Sequence, residues 1–111
     1  MAQKTITFQT NYNNKMNCRC FTHIDDAPAK GIPESVMNDT VFEIRTADNS
    51  HPPVKTKMVS LVRLPLWRVS DVLSYPSHGM DSVTFQEKMV IEKGLHADKE
   101  MAVYFYQKIE E

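Results

Sequence analysis

Hydrophobic and polar positions alternate with a two-residue period through much of the chain. In Lys4-Thr5-Ile6-Thr7-Phe8-Gln9-Thr10, Ile6 and Phe8 share one parity while Thr5, Thr7 and Gln9 share the other, as in a half-buried strand. The amides of Asn11-Tyr12-Asn13-Asn14-Lys15 compete for local backbone hydrogen bonds and interrupt the pattern. A second strand is expected from Met16 to about Ile24, with Met16, Cys18, Cys20 and Ile24 on one face and Asn17, Arg19, Phe21 and His23 on the other. Val41 to Thr46 predicts a third, in which Phe42 and Ile44 face one way and Val41, Glu43 and Arg45 the other.

Val54 to Leu64 predicts a long strand whose polar phase, Lys55 and Lys57, turns apolar at Val59 and Leu61. Such a change of phase is expected where a strand passes from a solvent edge into the core or bends at a barrel corner. Pro65 to Leu73 carries Leu66, Val69, Val72 and Leu73 on one helical side, and a short helical turn is expected there. Tyr75-Pro76-Ser77-His78-Gly79 reads as a break. The clearest helix follows, with Asp81 or Ser82 as its cap or Thr84 and Glu87 as an alternative capping box, Phe85, Met89 and Val90 as its apolar stripe and Gly94 as its stop. Met101 to Ile109 has bulky residues in both phases, as a central strand covered on both sides would. Asp25 to Pro33 and Asp48 to Pro53 are the expected loops.

With 111 residues, 41% of them hydrophobic and 24% charged, one domain spanning 1–111 is expected. No stretch approaches the roughly 20 apolar residues of a membrane span, and the start at Met1 has no apolar run of signal-peptide length, so a cytoplasmic protein with reduced thiols is expected. A formal charge of -1 argues against indiscriminate attraction to a long polyanion. Cys18-Arg19-Cys20-Phe21-Thr22-His23 has no paired zinc-knuckle spacing, and strand parity sets both cysteines opposite His23. The expectation is buried free thiols, with no metal and no cofactor.

Glycine-rich phosphate loops, a GxSxG elbow and an HExxH helix are all missing from the sequence. The polar phase of the second strand is the better candidate: Arg19, Phe21 and His23 project together, and Arg45, Lys57 and Arg63 stand on other strands. Cations that hold phosphate beside an aromatic that stacks a base would make a ligand-binding face. His51, His78 and His96 are expected as ordinary loop or helix-end residues, with the lining of a groove as the alternative for His78 beside Gly79, and Trp67 is expected in the core or at its rim.

In order, Ile6-Thr7-Phe8, the polar strand around Arg19, the run Met58 to Leu66, Met80 to Phe85 before a helix, and Ala102-Val103-Tyr104-Phe105-Tyr106 resemble the ASCH group of the PUA-like superfamily across nearly the whole chain. The resemblance implies an α+β fold: a small PUA-like mixed β-barrel with a short helix and a longer helix in the C-terminal region. It also implies a cleft for single-stranded RNA or a nucleotide-like ligand. Some similar ASCH proteins are metal-independent amidohydrolases of N4-acetylcytidine with an early G-x-K-T-x-T-x-R motif. Setting its arginine on Arg19 puts Asn14 at the lysine and Asn17 at the later threonine; a shift of one residue recovers Lys15 and puts Cys18 and Cys20 at the threonine and arginine. An enzyme of that kind would use Lys15 to activate the attacking group, Asn17 to position the carbonyl, and Glu43 or Asp71 to transfer protons. A third expectation is a protein-interaction adaptor whose groove accepts a peptide.

Overall fold

The computed structural model describes residues 2–27 and 40–109. The elements run β1 (Ala2–Phe8), a 3-10 segment (Tyr12–Asn17), β2 (Cys20–Asp26), β3 (Thr40–Thr46), β4 (Val54–Pro65), a 3-10 turn (Leu66–Arg68), α1 (Asp71–His78), α2 (Ser82–Lys93) and β5 (Glu100–Lys108). The five strands form one sheet in the order β1-β3-β4-β5-β2. β1 runs parallel to β3, and every other pair is antiparallel. β5 lies between β4 and β2, the central place its two apolar phases predict. The loop expected from Asp25 to Pro33 lies outside the described residues from position 28 onward.

The expected PUA-like mixed β-barrel is corrected to an open sheet: β1 and β2 are its two edges and do not pair with each other. A flat sheet of five strands would hold its outer strands about 19 Å apart. The rings of Phe8 on β1 and His23 on β2 nevertheless stack with centroids 3.9 Å apart, so the sheet curls until its edges meet through side chains. Backbone pairing stops short of closure because the free edge of β2 is already occupied. Lys108 N–H to Arg19 O (2.8 Å) and Ala27 N–H to Glu100 O (3.1 Å) fix which residues of β2 face β5, and the alternation leaves Thr22 and Ile24 facing outward. Lys15 Nζ donates to Thr22 O at 2.8 Å, and Ile24 N–H donates to Ser77 Oγ at 2.8 Å. Two side chains thus stand where a neighbouring strand would be, which protects the edge.

Two apolar clusters cover the two faces. Phe8, Met16, Phe21, Phe42, Ile44, Met58 and Tyr106 fill the inside of the curl, with Met16 of the 3-10 segment wedged in from the edge. Ile24, Leu66, Val69, Phe85, Met89, Met101 and Val103 lie between the other face and the helices. Each of the larger side chains contributes about 1.5–3 kcal/mol by leaving water.

The register of β4 against β5 shifts between Met58 and Ser60, so the change of phase at Val59 is a bulge rather than a barrel corner. The break expected at Tyr75 to Gly79 is instead the second half of α1. Pro76 sits inside that helix, and Gly79, with φ +69°, ends it. α2 begins as predicted, with Asp81 accepting from Thr84 N–H at 2.7 Å, and ends at Gly94. Of its expected stripe, Phe85 and Met89 are buried while Val90 is exposed.

Candidate functional site

The amide-rich segment that ends β1 builds the site. Asn11 Oδ1 accepts from Met16 N–H at 2.9 Å, and Asn13 and Asn14 both take left-handed backbone, with φ 55° and 54°. Asparagine tolerates that conformation better than most residues. The tight reversal turns Lys15 inward, where only 4% of its surface remains exposed. Its Nζ lies 2.8 Å from Thr22 O, 2.6 Å from Ser77 O and 2.7 Å from His23 Nδ1. An ammonium has three N–H donors and no acceptor, so these three partners match it one for one. Burial lowers the Lys15 pKa to about 7.

That match sets the histidine tautomers. With the charged Lys15 donating, His23 Nδ1 accepts, and the ring proton lies on Nε2. Ser77 Oγ, 2.7 Å from His78 Nδ1, already accepts from Ile24 N–H. Ser77 is fully buried and its hydroxyl hydrogen has no other acceptor among the described residues, so it is directed at His78 Nδ1, which again leaves the proton on Nε2. Burial, reinforced by the charge of Lys15, holds His23 well below the usual histidine range and lowers His78 to about 3. Both imidazoles are thus neutral at physiological pH. They stack with centroids 4.8 Å apart and planes 29° from parallel; Phe8 covers the other face of His23, and Tyr12 lies 4.5 Å from His78.

A cavity of about 300 Å³ opens beside this stack, lined by Gln9, Tyr12, His23, His78, Lys88 and Lys93 among others. Asp25 and Glu92 also reach its wall, where Lys93 bonds Asp25 at 3.0 Å and Lys88 faces Glu92 at 3.7 Å. Lys88 Nζ lies 5.7 Å from the Tyr12 ring centre. A second cavity of about 230 Å³, lined by Lys4, Ile6, Tyr104 and Tyr106, shares His23 and Asp25 with the first.

Of the residues predicted for a site, Lys15 and His23 meet in this network. Phe21 is buried against Phe8 and Tyr106 and lines, with Lys15, a cavity separate from the one beside the histidines. Asn17 is exposed at the end of the 3-10 segment, and Arg19 is exposed just before β2. Glu43 and Arg45 are bonded to each other on β3, Lys57 is exposed on β4, and Arg63 bonds Glu100 at 3.2 Å. Asp71 accepts from Ser82 N–H at 2.7 Å and ties the start of α1 to that of α2. Cys18 and Cys20 are exposed thiols rather than the buried pair expected, because the 3-10 segment takes up Met16 and Asn17 and β2 begins only at Cys20. Trp67 is more than half exposed.

Sequence reasoning missed Tyr12, Ser77, Lys88 and Lys93, which come from separate elements with no shared spacing. His78 carried the one available signal, its place beside a glycine at a groove. Among the described residues, no group of three or more His, Cys, Asp and Glu side chains could hold a metal ion. No helix among them is long and apolar enough to cross a membrane. Compared with known proteins, the chain matches no family model, no curated protein and no solved structure.

Proposed function

We propose that this protein binds one small nucleotide-like molecule in the cavity beside His23 and His78. The observation that carries the reading is the pair of stacked imidazoles on the cavity wall, each with Nδ1 held within the protein, which leaves Nε2 for a ligand. Fixed polar groups on a partly aromatic wall are what orients a ligand, and Tyr12 and Phe8 supply the aromatic surface. A volume of about 300 Å³ is at the small end for ligand pockets and suits one nucleoside-sized body better than a strand of RNA. The element order that resembles the ASCH group favours the same ligand chemistry.

Binding is favoured over the amidohydrolase reading because all three donors of Lys15 are engaged within the protein. Glu43 and Asp71, the expected proton carriers, are bonded to Arg45 and to the Ser82 backbone. Two exposed thiols suit a reducing compartment, so the proposed location is the cytoplasm.

An amide NMR titration with cytidine, cytidine 5′-monophosphate and a short single-stranded RNA tests the reading. Saturable shifts at Tyr12, His23, His78 and Lys88 with the small ligands are expected. Shifts with RNA alone, centred on Arg19 and Arg45, would replace the cavity with a strand-binding face.

A further inference from the structure

Lys15 is a buried cation whose partners among the described residues are two carbonyl oxygens and an imidazole, none of them an anion. The charges on the cavity wall cancel in pairs: Lys93 with Asp25 at 3.0 Å, and Lys88 with Glu92 at 3.7 Å. Among the described residues, the charge of protonated Lys15 behind the histidines is therefore left without a carboxylate partner. A buried charge without a counter-charge is costly, and a ligand that supplies the opposite sign removes that cost.

The histidines connect the charge to the cavity. His23 takes a hydrogen bond from Lys15 at Nδ1, which strengthens the donor at its Nε2 through bond cooperativity. The second arm runs through Ser77: its carbonyl binds Lys15 at 2.6 Å and its hydroxyl binds His78 Nδ1 at 2.7 Å. Both stacked rings line the cavity, and with their Nδ1 atoms held by Lys15 and by Ser77 it is Nε2–H of each that is left for a ligand there. Two donors on one cavity wall, one of them backed by a cation, make a cradle for an oxyanion.

We propose, resting on the nucleotide reading, that the phosphate of a nucleoside monophosphate sits on the Nε2–H groups of His23 and His78 and supplies the counter-charge to Lys15. Lys88 and Lys93 stand at the rim, while Asp25 and Glu92 remain held by them. Tyr12 and the adjoining second cavity leave room for the sugar and base.

The charge linkage gives the cradle a signature of its own. An anion across the His23 ring from Lys15 raises a pKa that burial has lowered to about 7, so binding at pH 8 draws a proton from the buffer. The phosphate, with its second pKa near 6, is fully ionised at that pH and takes up none.

Isothermal titration calorimetry at pH 8, in two buffers of different ionisation enthalpy, measures affinity and proton uptake for cytidine 5′-monophosphate, cytidine and inorganic phosphate. The monophosphate is expected to bind at least about tenfold more tightly than cytidine, as charge-assisted bonds to its oxygens would give, and with net proton uptake. Equal affinities for cytidine and its monophosphate, or monophosphate binding without proton uptake, would overturn the cradle and leave the nucleoside reading standing. Inorganic phosphate binding as tightly as the monophosphate, with uptake, would uphold the cradle and overturn the nucleotide reading. Binding of none of the three would overturn both.

Discussion

Lys15 Nζ lies 2.7 Å from His23 Nδ1, and the same nitrogen bonds the backbone oxygens of Thr22 and Ser77. One side chain thereby joins the 3-10 segment, the free edge of β2 and the end of α1. The relationship is structural before it is functional: it stops the sheet from closing and orients the imidazole that lines the cavity.

Replacing Lys15 with methionine tests its structural part. Lys15→Met keeps the side-chain volume and removes the desolvated charge, but it leaves Thr22 O and Ser77 O without this donor. Each buried acceptor so orphaned costs about 1–3 kcal/mol, partly offset by the relief of desolvation. The expected net loss is about 2–4 kcal/mol in urea unfolding. A variant as stable as the parent would show that the carbonyls find other partners.

The dependence of stability on pH follows from the same group. Lys15 titrates near 7 when folded and has an ordinary value of 10.5. Between those values the unfolded chain binds more protons than the folded one, so stability rises with pH, by at most about 1.4 kcal/mol per unit. The urea midpoint of the parent is therefore expected to increase from pH 7 to pH 9, and that of Lys15→Met to stay flat. Equal slopes for the two proteins would contradict the lowered pKa.

His78 gives the acid limb. Its pKa falls from 6.5 to about 3 on folding, and that of His23 is also lowered. Below 6.5 the unfolded state gains protons that the native state refuses, so stability falls as the pH drops toward 3. A midpoint at pH 4.5 no lower than at pH 7 would mean that the imidazoles are charged in the folded protein.

Gly79 and Gly94 form a matched pair. Both have positive φ, +69° and +65°, but a Cβ at Gly79 would meet Asn13 Cβ at 3.2 Å, whereas at Gly94 nothing lies within 4 Å. Alanine at either position incurs about 1–2 kcal/mol for the left-handed backbone, and Gly79→Ala adds a tight contact with the segment that positions Lys15. Thermal unfolding is expected to rank Gly79→Ala below Gly94→Ala; the reverse order would show that the Asn13 turn yields freely.

Much of the fold was legible because it rests on local pattern. The alternation of Ile6 with Phe8 and of Phe42 with Ile44 specifies buried strand faces, and Asp81 and Gly94 mark the ends of α2 as capping chemistry requires. The closure of the sheet was not legible, since it turns on whether the backbone edge of β2 finds a strand or a side chain. A lysine in an amide-rich turn carries no local sign that it will cap that edge. The site was legible only in fragments: Lys15 and His23 could each be singled out, but Ser77 Oγ reaches Ile24 N–H across 53 positions of sequence. Phe21 had the right parity to accompany His23, and that parity directs it into the core because the sheet curls over its own face.

The most direct measurement is a long-range proton–nitrogen NMR spectrum of the histidine rings at pH 5.5, recorded without ligand. Neutral rings are expected for His23 and His78, each with its proton on Nε2. Imidazolium signals at that pH, or a proton on Nδ1 of either ring, would contradict the paired donors on which the binding site rests.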